Sequence, residues 1–147
     1  MSERGLIVLL LEDLDPDILF FKRAAAKISQ SHHIHSVHNG EEAIAYLRGE
    51  CGFADRKRFP LPHLILTDLK MPLMDGLDFL RWRQSNPRWL MVPTIMFSGS
   101  GLDEDIRRAY RSGANSYFTK PTDQTQLVNT LRSIVEYWGK AALPFSE

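Results

Sequence analysis

Short apolar runs alternate along the chain with stretches of helical spacing, and the alternation occurs five times. Residues 6–11 are a continuous apolar run, the pattern of a strand buried on both faces. Asp15-Pro16 then reads as an N-cap and first helical position, and Ile18, Phe21, Ala25 and Ile28 keep one face of the following helix apolar. Residues 35–38 form a weaker second strand, Asn39-Gly40 a turn, and residues 41–48 a helix that Gly49 closes. Residues 49–62 mix glycine, proline and both charges without a period, which predicts a long surface loop before a strand at 63–67. A helix at 77–84, a strand at 94–97, a fourth helix capped by Asp103 and ended by Gly113, and a short strand at 116–119 follow. The last helix, from about 123 to 138, gathers Leu127, Leu131, Ile134, Val135 and Trp138 on one face.

Strands alternating with helices imply right-handed crossovers and a parallel sheet covered on both faces. The expected class is α/β, a flavodoxin-like doubly wound five-stranded parallel sheet in the order 2-1-3-4-5. Strands one and three then flank the topological switch point, where such folds build their sites at the C-terminal strand ends. Glu12 and Asp13 would lie beside Asp68 there, with Ser98 and Lys120 reaching the same edge.

Composition narrows the picture. The chain has 147 residues, 44% hydrophobic and 24% charged, which suits one domain with an ordinary core and a tail from about 139 to 147. Lysine plus arginine equal aspartate plus glutamate at 18 each, which argues against direct nucleic-acid binding. Cys51 is the single cysteine, so no intrachain disulfide can form and a reducing cytoplasm is the expected compartment. The apolar run at 6–11 is far shorter than the roughly 20 residues of a membrane span and lacks a signal-peptide flank, so no membrane association is expected.

Carboxylates crowded into one shallow pocket repel each other, and a hard divalent cation such as Mg²⁺ is the usual means of keeping them ionised. Beside such an ion Asp68 can attack a phosphoryl group, because carboxylates form acyl phosphates. The Lys120 ammonium would pair with one phosphoryl oxygen and the Ser98 hydroxyl would donate to another.

Glu12-Asp13 after strand one, Asp68 with Met71-Pro72 and Asp75-Gly76, Ser98-Gly99 after strand four, and Tyr117 with Lys120-Pro121 at strand five occur in one order over almost the whole chain. In these residues the chain resembles the response-regulator receiver domains of two-component signalling. The resemblance implies a phosphorelay in which Asp68 accepts a phosphoryl group from a phosphohistidine on a sensor histidine kinase. It implies metal ligation by Asp13, Asp68 and the backbone carbonyl of Lys70, with Glu12 helping through water. It also implies a cis Lys120-Pro121 peptide. A switch pair, Ser98 and Tyr117, would reshape the face made by the fourth helix, fifth strand and last helix. Such a protein is a signalling phosphoacceptor that assists its own phosphoryl transfer and hydrolysis rather than a conventional enzyme.

With no output domain expected, the phosphorylated chain would act by dimerising, by binding a downstream protein or by relaying the group to a phosphotransfer protein. The long loop, the absence of an output domain and the ending Ile134-Val135-Glu136-Tyr137-Trp138 are similar to the small regulators paired with bacterial phytochromes, often homodimers. The tail 141–145, Phe145 included, and the charged fourth helix would suit a symmetric contact.

Blander readings compete at several positions. Asp13 could be an N-cap's neighbour and Tyr117 a packed aromatic. His32, His33, His35 and His38 are read as surface histidines rather than a metal cluster, because alternate strand residues face opposite ways. Arg56, Lys57 and Arg58 are read as a solvated patch, and Trp82 and Trp89 as either core or partner contact. A phosphatase of the haloacid-dehalogenase type would carry an acid two positions after its nucleophile, where this chain has Lys70. A nucleotide-binding module would need a glycine-rich turn after strand one. The nearest rival is a degenerate receiver acting as a phosphorylation-independent binding module.

Overall fold

The computed structural model describes residues 5–144. Five strands, β1 (Ile7–Leu11), β2 (His33–Val37), β3 (Leu64–Thr67), β4 (Thr94–Ser98) and β5 (Ser116–Thr119), form one parallel sheet in the order β2-β1-β3-β4-β5. The helices are α1 (Asp15–Ala26), α2 (Gly40–Arg48), α3 (Gly76–Gln84), the one-turn α4 (Pro87–Leu90), α5 (Asp103–Arg111) and α6 (Gln124–Lys140). The flavodoxin-like order and alternation expected from the hydrophobic pattern are therefore present, with α4 as an additional turn.

The three central strands are buried at nearly every position, as a sheet covered on both faces demands. On one face Val8, Leu10, Leu64, Leu66 and Phe97 pack against α1 and α6. On the other, Leu9, Leu11, Ile65 and Val37 meet Ala43, Tyr46 and Leu47 of α2, Phe79 of α3 and Trp89 of α4. Trp89 is core, and Trp82 packs half-buried against the same cluster beneath the Arg48 guanidinium.

Several boundaries differ from the sequence reading for identifiable reasons. Strand β2 begins at His33 because it pairs residue for residue with β1, Ile7 opposite His33 through Leu11 opposite Val37. Helix α1 has Leu14 at its N-cap, and the Asp15 carboxylate instead meets His38 Nε2 at 2.9 Å. Leu102, not Asp103, caps α5. The cap at Gly49 does hold, with φ 71°, a left-handed conformation that glycine adopts without steric cost.

The segment 49–62 is the expected surface loop, with Lys57 and Arg58 exposed, but Arg56 is not part of a solvated patch and anchors the loop to α2. Arg56 Nη1 and Nη2 donate to the carbonyls of Tyr46 and Leu47 at 2.9 and 2.8 Å, satisfying the end of α2, and Nη1 also reaches Phe59 O at 3.1 Å. Phe53 and Phe59 pack edge-on at 5.0 Å, both against Tyr46. His32 and His63 likewise have structural contacts, their Nδ1 atoms accepting from the Leu6 and Ile7 amides at 3.0 Å. Among the described residues no helix is long and apolar enough to cross a membrane. Phe145 lies outside the described residues.

Candidate functional site at the C-terminal strand ends

The side chains expected to work together converge at the edge where β1, β3, β4 and β5 end. Glu12 follows β1, its amide donating to Val37 O at 3.0 Å, and Asp68 follows β3, its amide donating to Leu11 O at 2.9 Å. Sheet hydrogen bonding therefore continues through both acids. Lys120 follows β5 and is tied to β4 by its amide, 2.7 Å from Ser98 O.

Asp68 is held at both carboxylate oxygens. Oδ1 accepts from the Leu69 amide at 2.7 Å and Oδ2 from Lys120 Nζ at 3.2 Å. The turn after it closes on Gly76, whose amide donates to Leu69 O at 2.9 Å. A Cβ at Gly76 would lie 2.1 Å from the Asp68 carbonyl oxygen, which explains why glycine ends the Asp75-Gly76 pair. Asp75 caps α3 reciprocally with Asp78.

Lys120 Nζ also donates to Glu12 Oε1 at 2.6 Å, while Glu12 Oε2 accepts from the Leu14 amide at 3.2 Å. Glu12 is 3% exposed. Burial raises its pKa above the ordinary value, a push the Lys120 contact opposes without cancelling. For Lys120 burial acts downward, but its two carboxylate partners outweigh it and its pKa is raised. A cavity of about 220 Å³ lies beside the acids, with Phe20, Phe21, Phe97 and Leu127 in its walls.

Glu12, Asp13 and Asp68 each offer an oxygen within 4.8 Å of the others. This all-oxygen, carboxylate-rich set fits a hard divalent cation, so the residues present suit the ion that their crowding implied. Lys120 is the built-in counter-charge of two of them, Glu12 and Asp68.

Ser98, 3% exposed, accepts from the Ser100 amide at 3.1 Å, and among the described residues its own hydroxyl proton is donated to no acceptor. That proton is available to a group arriving at the site. Tyr117 is half-buried against the cluster of Leu69, Leu77, Leu80 and Met96, with its hydroxyl donating to Ser100 O at 2.7 Å. The cis expectation is corrected: the Lys120-Pro121 peptide is trans, the form a prolyl bond adopts unless its context offsets about 0.5–1 kcal/mol. Sequence reading missed Ser100 as a junction, since a serine between two glycines carries no periodic signal. It also missed Leu73, which sits 81% exposed at φ 66° in the turn beside Asp68.

Known proteins agree with this geometry. The response regulator receiver domain family matches residues 8–132. The probable methanogenesis regulatory protein FilR2 of Methanothrix harundinacea is 32% identical, over 93% of this chain and 86% of its own. The phosphorylated cyanobacterial phytochrome response regulator RcpA superposes with TM-score 0.85 at 34% identity, over 96% of this chain and 99% of its own. The Mn²⁺-bound response regulator Rcp1, known from Synechocystis, superposes with TM-score 0.81 at 25% identity, over 96% of this chain and all of its own. With the acidic site, the sheet order and the family match in agreement, this chain belongs to the response-regulator receiver domains and is similar to those that serve phytochromes.

Proposed function

We propose that the protein is a phosphoacceptor of a two-component phosphorelay that takes a phosphoryl group on Asp68. The observation that carries this reading is the Lys120 ammonium lying between Glu12 Oε1 and Asp68 Oδ2, at 2.6 and 3.2 Å, with Asp13 beside them. An Asp68 carboxylate oxygen attacks phosphorus, the O–P bond forms as the N–P bond to the donor imidazole breaks, and the released imidazole nitrogen takes a proton from solvent. Lys120 then pairs with a phosphoryl oxygen in place of the Asp68 carboxylate, and Ser98 donates its free proton to another. Mg²⁺, held by Asp13, Asp68 and the Lys70 carbonyl with Glu12 acting through water, would offset charge on the transferring oxygens.

The donor is a sensor histidine kinase, of phytochrome type on the strength of the likeness to RcpA. The switched surface is the face of α5, β5 and α6, which would also serve homodimerisation, a downstream protein or a phosphotransfer protein in the cytoplasm. Hydrolysis of the acyl phosphate, assisted by the same site, would reset it.

The test is intact-protein mass spectrometry after incubation with acetyl phosphate, with and without Mg²⁺. Wild type gains one hydroxylamine-labile phosphate only with Mg²⁺, and Asp68→Asn, nearly unchanged in volume, gains none. A persisting adduct on Asp68→Asn would move the acceptor elsewhere.

A further inference from the structure

The loop joining β4 to α5 contains a chain of hydrogen bonds that passes through one residue. The Ser100 amide donates to Ser98 Oγ at 3.1 Å, and the Ser100 carbonyl accepts from the Tyr117 hydroxyl at 2.7 Å. Ser98 and Tyr117 are thus joined by the two backbone groups of Ser100.

Little else restrains that residue. Gly99 and Gly101 flank it, and a Cβ at either would meet nothing within 4 Å. Two glycines in open space leave the backbone wide conformational freedom. The Ser100 side chain supplies the restraint. Its hydroxyl donates to Asp105 Oδ2 at 2.5 Å and accepts from the Leu102 amide at 3.3 Å. A hydroxyl-to-carboxylate bond of that length belongs to the short, charge-assisted class, roughly twice as strong as a neutral pair. Of the three acids in the first turn of α5, Asp103 and Glu104 are exposed, and Asp105 is the one that reaches the loop.

We propose that Asp105 and Ser100 are a positioning pair. Asp105 grips the Ser100 hydroxyl and so holds the residue that couples Ser98 to Tyr117. The same grip ties the loop to the N-terminal turn of α5, so a displacement of Ser98 is passed to both the tyrosine and the helix. The signal that starts this motion rests on the phosphoacceptor reading, whereas the resting clamp does not.

The experiment uses the full chain labelled with fluorotyrosine, with the Tyr117 fluorine resonance assigned by its loss in Tyr117→Phe. In wild type that resonance is displaced from those of the exposed Tyr110 and Tyr137, and it moves again on addition of Mg²⁺ and acetyl phosphate. Ser100→Ala and Asp105→Ala bring the resting resonance more than halfway to the exposed position and cut the donor-induced change to less than half. The phosphate adduct on Asp68 still forms in both variants. Ser100→Thr, which keeps the hydroxyl, restores both signals, and Asp103→Ala, which removes a first-turn acid that does not touch the loop, alters neither. An unchanged resting resonance in both alanine variants, or no rescue by threonine, overturns the proposal. Failure of the phosphoacceptor reading shows separately, as no adduct on wild type, and leaves the resting comparison intact.

Discussion

Lys120 and Arg83 are both cations drawn in from solvent, yet they are held by opposite kinds of partner. Lys120 sits between two carboxylates and stays a quarter exposed. Arg83 is 2% exposed and, among the described residues, pairs with no carboxylate. Its Nε and Nη2 donate to Val92 O at 3.2 and 2.9 Å, Nη1 to Gly113 O at 2.9 Å, and Nη2 also to Leu90 O and Asn115 Oδ1 at 3.0 and 3.1 Å. Burial lowers Arg83 to about 10, which still leaves it charged at neutral pH. A cation surrounded by fixed dipoles has no alternative partner and acts as a clamp, joining α3 to the end of α4, the start of β4 and the turn before β5. A cation surrounded by acids has partners that can take a proton, a metal or a phosphoryl group instead, and so can be exchanged. Burial withdraws both; the partners decide which one can do chemistry.

The largest effect expected from breaking this contrast is on Arg83. Arg83→Met should cost about 3 kcal/mol or more, because the Val92, Leu90 and Gly113 carbonyls lose a buried donor together. Arg83→Lys should recover only part, since a point charge cannot fork to several carbonyls. Denaturant midpoints at constant slope would measure both, and a near-neutral Arg83→Met would show that the carbonyls find other donors.

Lys120→Met should be milder, on the order of 2 kcal/mol without metal, because Asp68 stays partly open to water and Glu12, 3% exposed and left unpaired, can take up a proton instead of remaining a buried charge. Removing the ammonium also removes a competitor for the carboxylates. Mg²⁺ should therefore raise the melting temperature of Lys120→Met more than that of wild type, by linkage. Equal shifts would mean that Lys120 and the ion occupy the site independently.

The smallest effect is at the surface pair of His38 with Asp15. The hydrogen bond to Asp15 raises the His38 pKa, with Glu42 adding to it and burial opposing. Protonated His38 therefore stabilises the fold below about pH 6.5, and that contribution is lost as pH rises through the raised value. With the ring 48% exposed, solvent screening limits it to about 0.3 kcal/mol. His38→Gln should flatten the stability profile just above pH 6.5. His35 has the opposite sign: burial lowers its pKa, so its contribution is lost as pH falls below 6.5. A His38→Gln profile that changed only below 6.5 would contradict the assignment.

Legibility in the sequence followed the range of the interaction involved. Strand runs and helical faces were visible because burial imposes a period of 2 or 3.6 on nearby residues. Asp68 and Lys120 were visible because strand ends are where this sheet order collects side chains. Cap choice was not, since Asp15 has the composition of a cap but lies one position inside the helix, beside His38. Arg56 looked like an ordinary surface charge and Arg83 gave no signal, because the carbonyls they satisfy come from segments that only the fold brings together.

The sequence by itself therefore determined the alternation of elements, the parallel order of the strands and the set of acids, hydroxyl and lysine placed at their ends. These follow from local hydrophobic periodicity and from the chirality of crossovers, which act on short segments whatever surrounds them. Tertiary structure alone decided that Lys120 bridges Glu12 and Asp68, that the Lys120-Pro121 peptide is trans, that Ser100 joins Ser98 to Tyr117, and that an arginine held by carbonyl oxygens ties the far side together. Such pairings depend on distances between residues up to 108 positions apart, and only the closed sheet sets them.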